Sequence, residues 1–270
     1  MQVQGNLFAN AARCLDCTSV AEKLALTDAV VRAFADGSLS LEPDAPPQPI
    51  GIPGRPSKPD LVSPRRLPGR GLGSAHGRAA LIHAVAHIEF NAVNLAWDAV
   101  YRFRGMPLQY YRDWVGVAAD EARHFRLLAG RLTDLGHDYG DFAAHDGLWE
   151  MAVKTADSCL ERMALVPRVL EARGLDVTPG MIERLRAAGD LASVGILELI
   201  LREEVAHVAA GSHWFAWCCE RDGLEPETTF VALVVRHARG AIRNPLNAVA
   251  RRAAGFTEAD LARLGALAAA

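Results

Sequence analysis

The 270-residue chain has no long apolar run, no basic leader, no one-sided charge, no cysteine framework and no period-two alternation. Each absence excludes something. A bilayer-spanning helix needs about 18–20 consecutive apolar residues, so no membrane span is expected. The opening Met1 to Asn6 lacks the basic-then-apolar pattern of a secretory signal, and a cytoplasmic location is expected. With 29 Lys and Arg against 32 Asp and Glu, the net charge is −3 and the pI near 6.3. That balance is not the global signature of a nucleic-acid binder. Five cysteines at irregular spacing do not make a disulfide framework. Cys14 and Cys17 form a lone C-x-x-C, open to a redox role or half a zinc site, with ordinary thiols the simpler reading. Adjacent Cys218 and Cys219 point in different directions on a helix. Without strand alternation the fold reads all-α.

Half the residues are hydrophobic, enough for a sizeable core. Residues 1–40 read as an N-terminal helical arm, with Ser19 and Glu22 as a capping box and Gly37 as a stop. Residues 41–73 form a Pro-rich extended segment; nine of the fourteen prolines fall in 41–69. Proline lacks the backbone donor a helix needs, so this stretch is a linker or a strap laid over the domain. Its apolar residues, such as Ile50, Leu61 and Leu67, favour the strap. Residues 74–225 read as four long helices: about 75–104, 107–135, 147–173 and 190–223. Gly105, Gly136 and Gly174 are the expected stops of the first three, and Thr178-Pro179 caps a short helix before the fourth. Residues 226–270 form a C-terminal helical extension.

Two Glu-x-x-His motifs carry the chemistry: Glu121 with His124, and Glu204 with His207. Residues three apart share a helix face, so each motif offers a carboxylate oxygen and an imidazole nitrogen together. Both interrupt otherwise apolar stripes, Trp114, Val117, Phe125 and Leu128 around the first, Leu197, Ile200, Leu201 and Val208 around the second. Glu89 behaves likewise between Ile82, Val85, Val93 and Ala96. A buried carboxylate without a compensating charge is very unfavourable. Glu89 and Glu121 lie sixteen residues either side of Gly105, so a tight hairpin brings them to similar depth. The same logic on the second hairpin asks for a carboxylate about thirteen residues before Gly174, and Glu161 is there. Glu171 is the alternative, since Pro167 can kink or bulge this helix and re-aim its side chains. Two hairpins each offering Glu and then Glu-x-x-His describe the carboxylate di-metal site of four-helix bundles.

At these residues the chain resembles the ferritin-like superfamily, and more closely a bacterial ferritin-like family known by a domain-of-unknown-function label. The likeness is carried by AHIEFNAVNLAWD (86–98), DWVGVAADEARHF (113–125), RMALVPRVLEARGLDVTP (162–179) and EEVAHVAAGSHWF (203–215). It implies a ferritin-like four-helix bundle with an N-terminal arm, Pro-rich strap and C-terminal accessory helices, holding two iron ions, manganese or a mixed pair. A more distant likeness is to tRNA-hydroxylating di-iron monooxygenases, through the Glu-x-x-His pairs and Glu161-Arg162-Met163. The loop at 174–190 and the Pro-rich arm have no counterpart there, so that substrate is not carried over.

Oxygen and nitrogen ligands without thiolate favour iron or manganese over structural zinc. Asp120 and Glu203, each just before a ligand Glu, are candidates to accept the imidazoles' second N–H, or else lie on a solvated face. The expected function is an oxygen-activating oxidoreductase or hydroxylase. A ferroxidase, manganese-dependent peroxide disproportionation and a metal-free interaction module are the alternatives. The substrate is an unknown small molecule or RNA, and a homodimer is compatible. Two basic clusters could hold phosphates: Arg65, Arg66, Arg70 and Arg78, and Arg236, His237, Arg239, Arg243, Arg251 and Arg252.

Overall fold

Side chains that can accept a backbone N–H open most of the long helices, and glycines with positive φ close several of them. The computed structural model describes residues 3, 5–43, 45–67 and 71–269. They form two compact units, Met1–Val153 and Lys154–Ala270. Among the described residues there is no strand beyond isolated bridges, at Asn6 with Ser40 and Leu61 with Ala144. The protein is all-helical.

In the first unit, α1 (Leu7–Asp16) is capped by Asn6, whose side chain accepts from the Ala9 N–H. Ser19 caps α2 (Val20–Ala35) in the expected way, accepting from the Glu22 N–H, and Gly37 follows with φ 71°. These helices pack into the unit: Leu7, Ala11, Cys14, Leu15 and Val30 have no exposed surface. Lys23 is wholly buried as well. Its ammonium donates to the carbonyls of Cys14 (2.6 Å) and Leu15 (3.4 Å) at the end of α1 and to Asn94 Oδ1 (2.6 Å).

The Pro-rich segment is a strap. Its backbone, short of donors, is held by other parts of the unit. The Gln48 N–H donates to the Tyr101 hydroxyl (2.8 Å), and Trp149 Nε1 donates to the Gly51 carbonyl (2.9 Å). Arg55 pairs with Asp146 (3.0 Å), and Val62 and Asp60 exchange backbone bonds with Ala144. Gly54 runs so close to α1 that a Cβ there would sit 2.3 Å from the Asp16 carbonyl oxygen.

Beneath the strap lie α3 (Ala75–Arg102), α4 (Leu108–Asp134) and the short α5 (Gly147–Lys154). Ser74 caps α3, accepting from the Gly77 N–H, and α3 and α4 form a hairpin turning at Gly105, φ 70°. α3 is apolar nearly all round, which marks a core helix. It has the length and composition of a membrane span, but 83% of its apolar stretch is buried within the protein.

The second unit corrects the expected third helix. The stretch from 147 breaks after Lys154, and a new helix, α6 (Cys159–Leu165), starts at the Ser158 cap. It passes into a π-helical segment, Val166–Glu171, and then α7 (Ala172–Ala187). Gly174 does not end it. Its backbone stays helical, whereas Gly105, Gly136, Gly189 and Gly223, with φ between 66° and 77°, do close helices. Pro179 is likewise inside α7 rather than at a start. The π segment has a cause. The Pro167 ring would collide with the carbonyl four residues back, and one extra residue in the turn relieves that.

After the turn at Gly189 comes α8 (Leu191–Asp222), capped by Asp190, which accepts from the Ser193 N–H (3.1 Å). A Cβ at Gly211 of α8 would lie 2.3 Å from the Pro167 ring, so glycine there lets the π segment seat closely. The C-terminal extension comprises α9 (Pro226–His237), α10 (Ala248–Ala253) and α11 (Glu258–Ala269). Two buried arginines clamp it. Arg168 pairs with Asp260 (2.8 Å) under the rings of Phe215, Phe230 and Phe256, and Arg251 pairs with Asp176 (2.7 Å). Arg252 pairs with Glu258. Arg251 is thus buried in its ion pair, while the Arg252 side chain stays half exposed. Arg70, of the other basic cluster, lies outside the described residues.

Candidate metal centre

Each unit contains one hairpin bearing the expected ligand types. In the first, Glu89 on α3 meets Glu121 and His124 on α4, as equal spacing from Gly105 requires. They are 4%, 1% and 0% exposed. His124 Nδ1 lies 3.1 Å from Glu89 Oε2 and 3.5 Å from Glu121 Oε2. The three residues offer donor atoms all within 4.8 Å of one another, a buried Glu/His cluster that could hold a metal ion. Burial alone would push the His124 pKa down; hydrogen bonds and charge from Glu121 and Glu89 override it and raise the pKa to about 11. Two carboxylates around one imidazole thus demand positive charge, which a proton or a cation can supply. Phe90, next to Glu89, Phe125, next to His124, and Trp114, two turns before Glu121, are each 2% exposed.

In the second unit, Glu204 and His207 share a face of α8, with Nδ1 and Oε1 3.3 Å apart and both side chains largely buried. The third-helix carboxylate changes with the helix ends. Glu161 lies in the first turn of α6, its N–H bonded to the Ser158 hydroxyl (3.2 Å), and is half-buried. Measured from Gly189, it sits thirteen residues, about 20 Å of helix rise, out of level with Glu204. Glu171, at the end of the π segment and with a buried carboxylate oxygen, is within about one turn of level. Because the helix ends at Ala187 and not at Gly174, Glu171 is nearer in depth to Glu204 than Glu161 is.

Asp120 is half exposed and pairs with Arg123 on its own helix (2.8 Å). Glu203 is half-buried on α8. Cys14 is fully buried, and burial lifts its thiol pKa to about 12, so it stays protonated. Cys17 Sγ donates to the Ser19 carbonyl (3.4 Å).

One polar network escaped the sequence reading. His87, two residues before Glu89, has Nε2 3.1 Å from the His145 carbonyl and Nδ1 2.9 Å from the Tyr139 hydroxyl. Burial pushes its pKa down to about 4, so the ring is neutral. Asn91 Nδ2 also lies 3.0 Å from Nε2 and donates to the His87 carbonyl (2.9 Å). The Tyr139 ring packs on Phe90 and Phe125, pinning the 136–146 loop against the hairpin. The i, i+4 spacing of His83 and His87 was its signal, but the partners come from a loop about fifty residues away.

These features define a class: an all-helical protein with a buried carboxylate–histidine cluster suited to a metal ion. The chain belongs to the family described as Protein of unknown function (DUF455), whose profile matches residues 16–262. An uncharacterized protein of Haemophilus influenzae is 46% identical over 213 residues, covering 76% of this chain and 74% of that protein. No solved structure matches. The family match spans every candidate ligand from Glu89 to His207.

Proposed function

We propose that the protein is a ferritin-like, dinuclear metal carboxylate protein acting as an oxygen-activating oxidoreductase. The observation that carries this reading is the buried Glu89, Glu121 and His124 cluster, whose electrostatics call for a cation. Glu204, His207 and Glu171 repeat the same residue types on a second hairpin. In this reading the six side chains hold two ions. Four carboxylates and two neutral imidazoles carry −4, which two divalent cations cancel. Bound iron or manganese would supply redox chemistry with open coordination positions.

The chain's own residues then have defined roles. The carboxylates and imidazoles fix the ions, Phe90, Trp114 and Phe125 keep bulk water out, and His124 must give up its proton on loading. Metal-dependent oxygen chemistry is tested on protein reconstituted anaerobically with ferrous or manganous ion. Iron-loaded protein should consume oxygen in a stoichiometric first turnover, and Glu121→Ala should lose that burst. Multi-turnover iron deposition would support a ferroxidase instead, and peroxide disproportionation by the manganese form alone would support that activity. Absence of all three overturns the oxidoreductase reading.

A further inference from the structure

Between the end of α2 and the start of α4, a cavity of about 400 Å³ opens to solvent. That lies within the usual range for small-ligand pockets, about 300–1,000 Å³. Its walls are the side chains of Val31, Phe34, Leu39, Leu108 and Val115, and its only charged lining group is Arg112. Val115 and Leu39 are buried at its base, while Leu108 stands 45% exposed at its lip. An apolar recess with one polar group is how a protein orients an amphiphile. Arg112 is exposed and makes no hydrogen bond or ion pair among the described residues. A fork of guanidinium N–H donors suits a carboxylate held in two-point contact.

We infer that this groove binds an aliphatic monocarboxylate, its chain against Phe34, Leu108 and Val115 and its carboxylate on Arg112. The site needs nothing from the metal reading: Arg112 lies nine residues before Glu121 on α4. Gly116 provides a control. It lines the groove, and a Cβ built on it meets nothing within 4 Å, so a larger side chain there enters open space. Because glycine is a poor helix residue, Gly116→Leu should fill the groove without weakening the fold.

The test is calorimetric titration of the full chain with hexanoate, octanoate, decanoate and decanol. Decanoate should bind saturably at one site per chain, with affinity rising roughly threefold to fourfold per added methylene. Arg112→Gln should weaken decanoate at least tenfold and leave decanol unchanged. Gly116→Leu should abolish binding while its melting temperature holds or rises. No saturable decanoate binding overturns the inference. So does equal binding of decanol and decanoate with no effect of Arg112→Gln, which would make the groove merely apolar. If Gly116→Leu lowers the particle mass and decanoate does not bind, the groove is a contact between copies of this chain, and the ligand is excluded.

Discussion

Glu161 and Glu171 differ by ten positions on one helical run, and the distinction decides which carboxylate serves the second hairpin. Glu171 lies within about one turn of level with Glu204; Glu161 occupies the first turn of α6, where a carboxylate is stabilised by free N–H groups. Glu171→Ala should lower bound metal from two ions per chain toward one, whereas Glu161→Ala should leave it near two, as read by elemental analysis. The reverse would restore Glu161 and show that the π segment does not reset the register. Lys23 makes a separate prediction. Burial lowers its pKa from 10.5 to about 8, so above pH 8 the unfolded chain holds a proton the folded chain has released. The Lys23 contribution to stability should therefore rise with pH from about 8 to 10.5, by up to about 1.4 kcal/mol per unit. Cys14 opposes this above about 9, since burial raises its pKa from 9.0 to about 12 and the folded chain then holds the extra proton. His124, whose pKa is raised from 6.5 to about 11, opposes the rise across the whole interval, because there the folded chain holds the extra proton, so the Lys23 contribution is read by difference. Urea unfolding between pH 8 and 9 should give Lys23→Met a less positive dependence of stability on pH than the parent chain, by up to about 1.4 kcal/mol per unit; an unchanged slope contradicts the assignment.

The helices divide into those the sequence makes legible and one it conceals. The ends of α2, α3, α4 and α8 are marked by local chemistry. Ser19, Ser74 and Asp190 accept a first-turn N–H, while Gly37, Gly105, Gly136 and Gly223 adopt φ values that other residues resist. Run α6–π–α7 is concealed because Gly174 and Pro179 carry stop signals that tertiary packing overrides. Glu89, Glu121 and His124 are legible because each interrupts an apolar stripe. Lys23 and His87 are not, since their partners Asn94 and Tyr139 lie 71 and 52 positions away. Pro167 and Gly211 are the packing reason for the concealed register, and that has a consequence. Gly211→Ala would drive a methyl into the Pro167 ring, costing about 1–3 kcal/mol by overpacking. It should also reduce metal binding at Glu171 and Glu204 while leaving the Glu89 cluster intact. Undiminished stability would mean the π segment is not seated on α8 as described.

For the whole molecule, the absences in the sequence and the features of the fold point the same way. Among the described residues, the one helix long and apolar enough for a membrane is a core helix, and in the arginine-rich C-terminal stretch Arg251 is buried in an ion pair with Asp176 that secures the extension. Glu89, Glu121, His124 and His207 are buried on the chain's two hairpins, with Glu204 beside His207. The central claim is that these hairpins together hold a pair of metal ions, and it is tested most directly by X-ray absorption on the full chain reconstituted anaerobically with ferrous ion. The account predicts two ions per chain by elemental analysis and a metal–metal vector of about 3.5–4 Å, both lost on substituting Glu121 and Glu204 together. A single ion per chain with no metal–metal vector, or no bound metal at all, would contradict it.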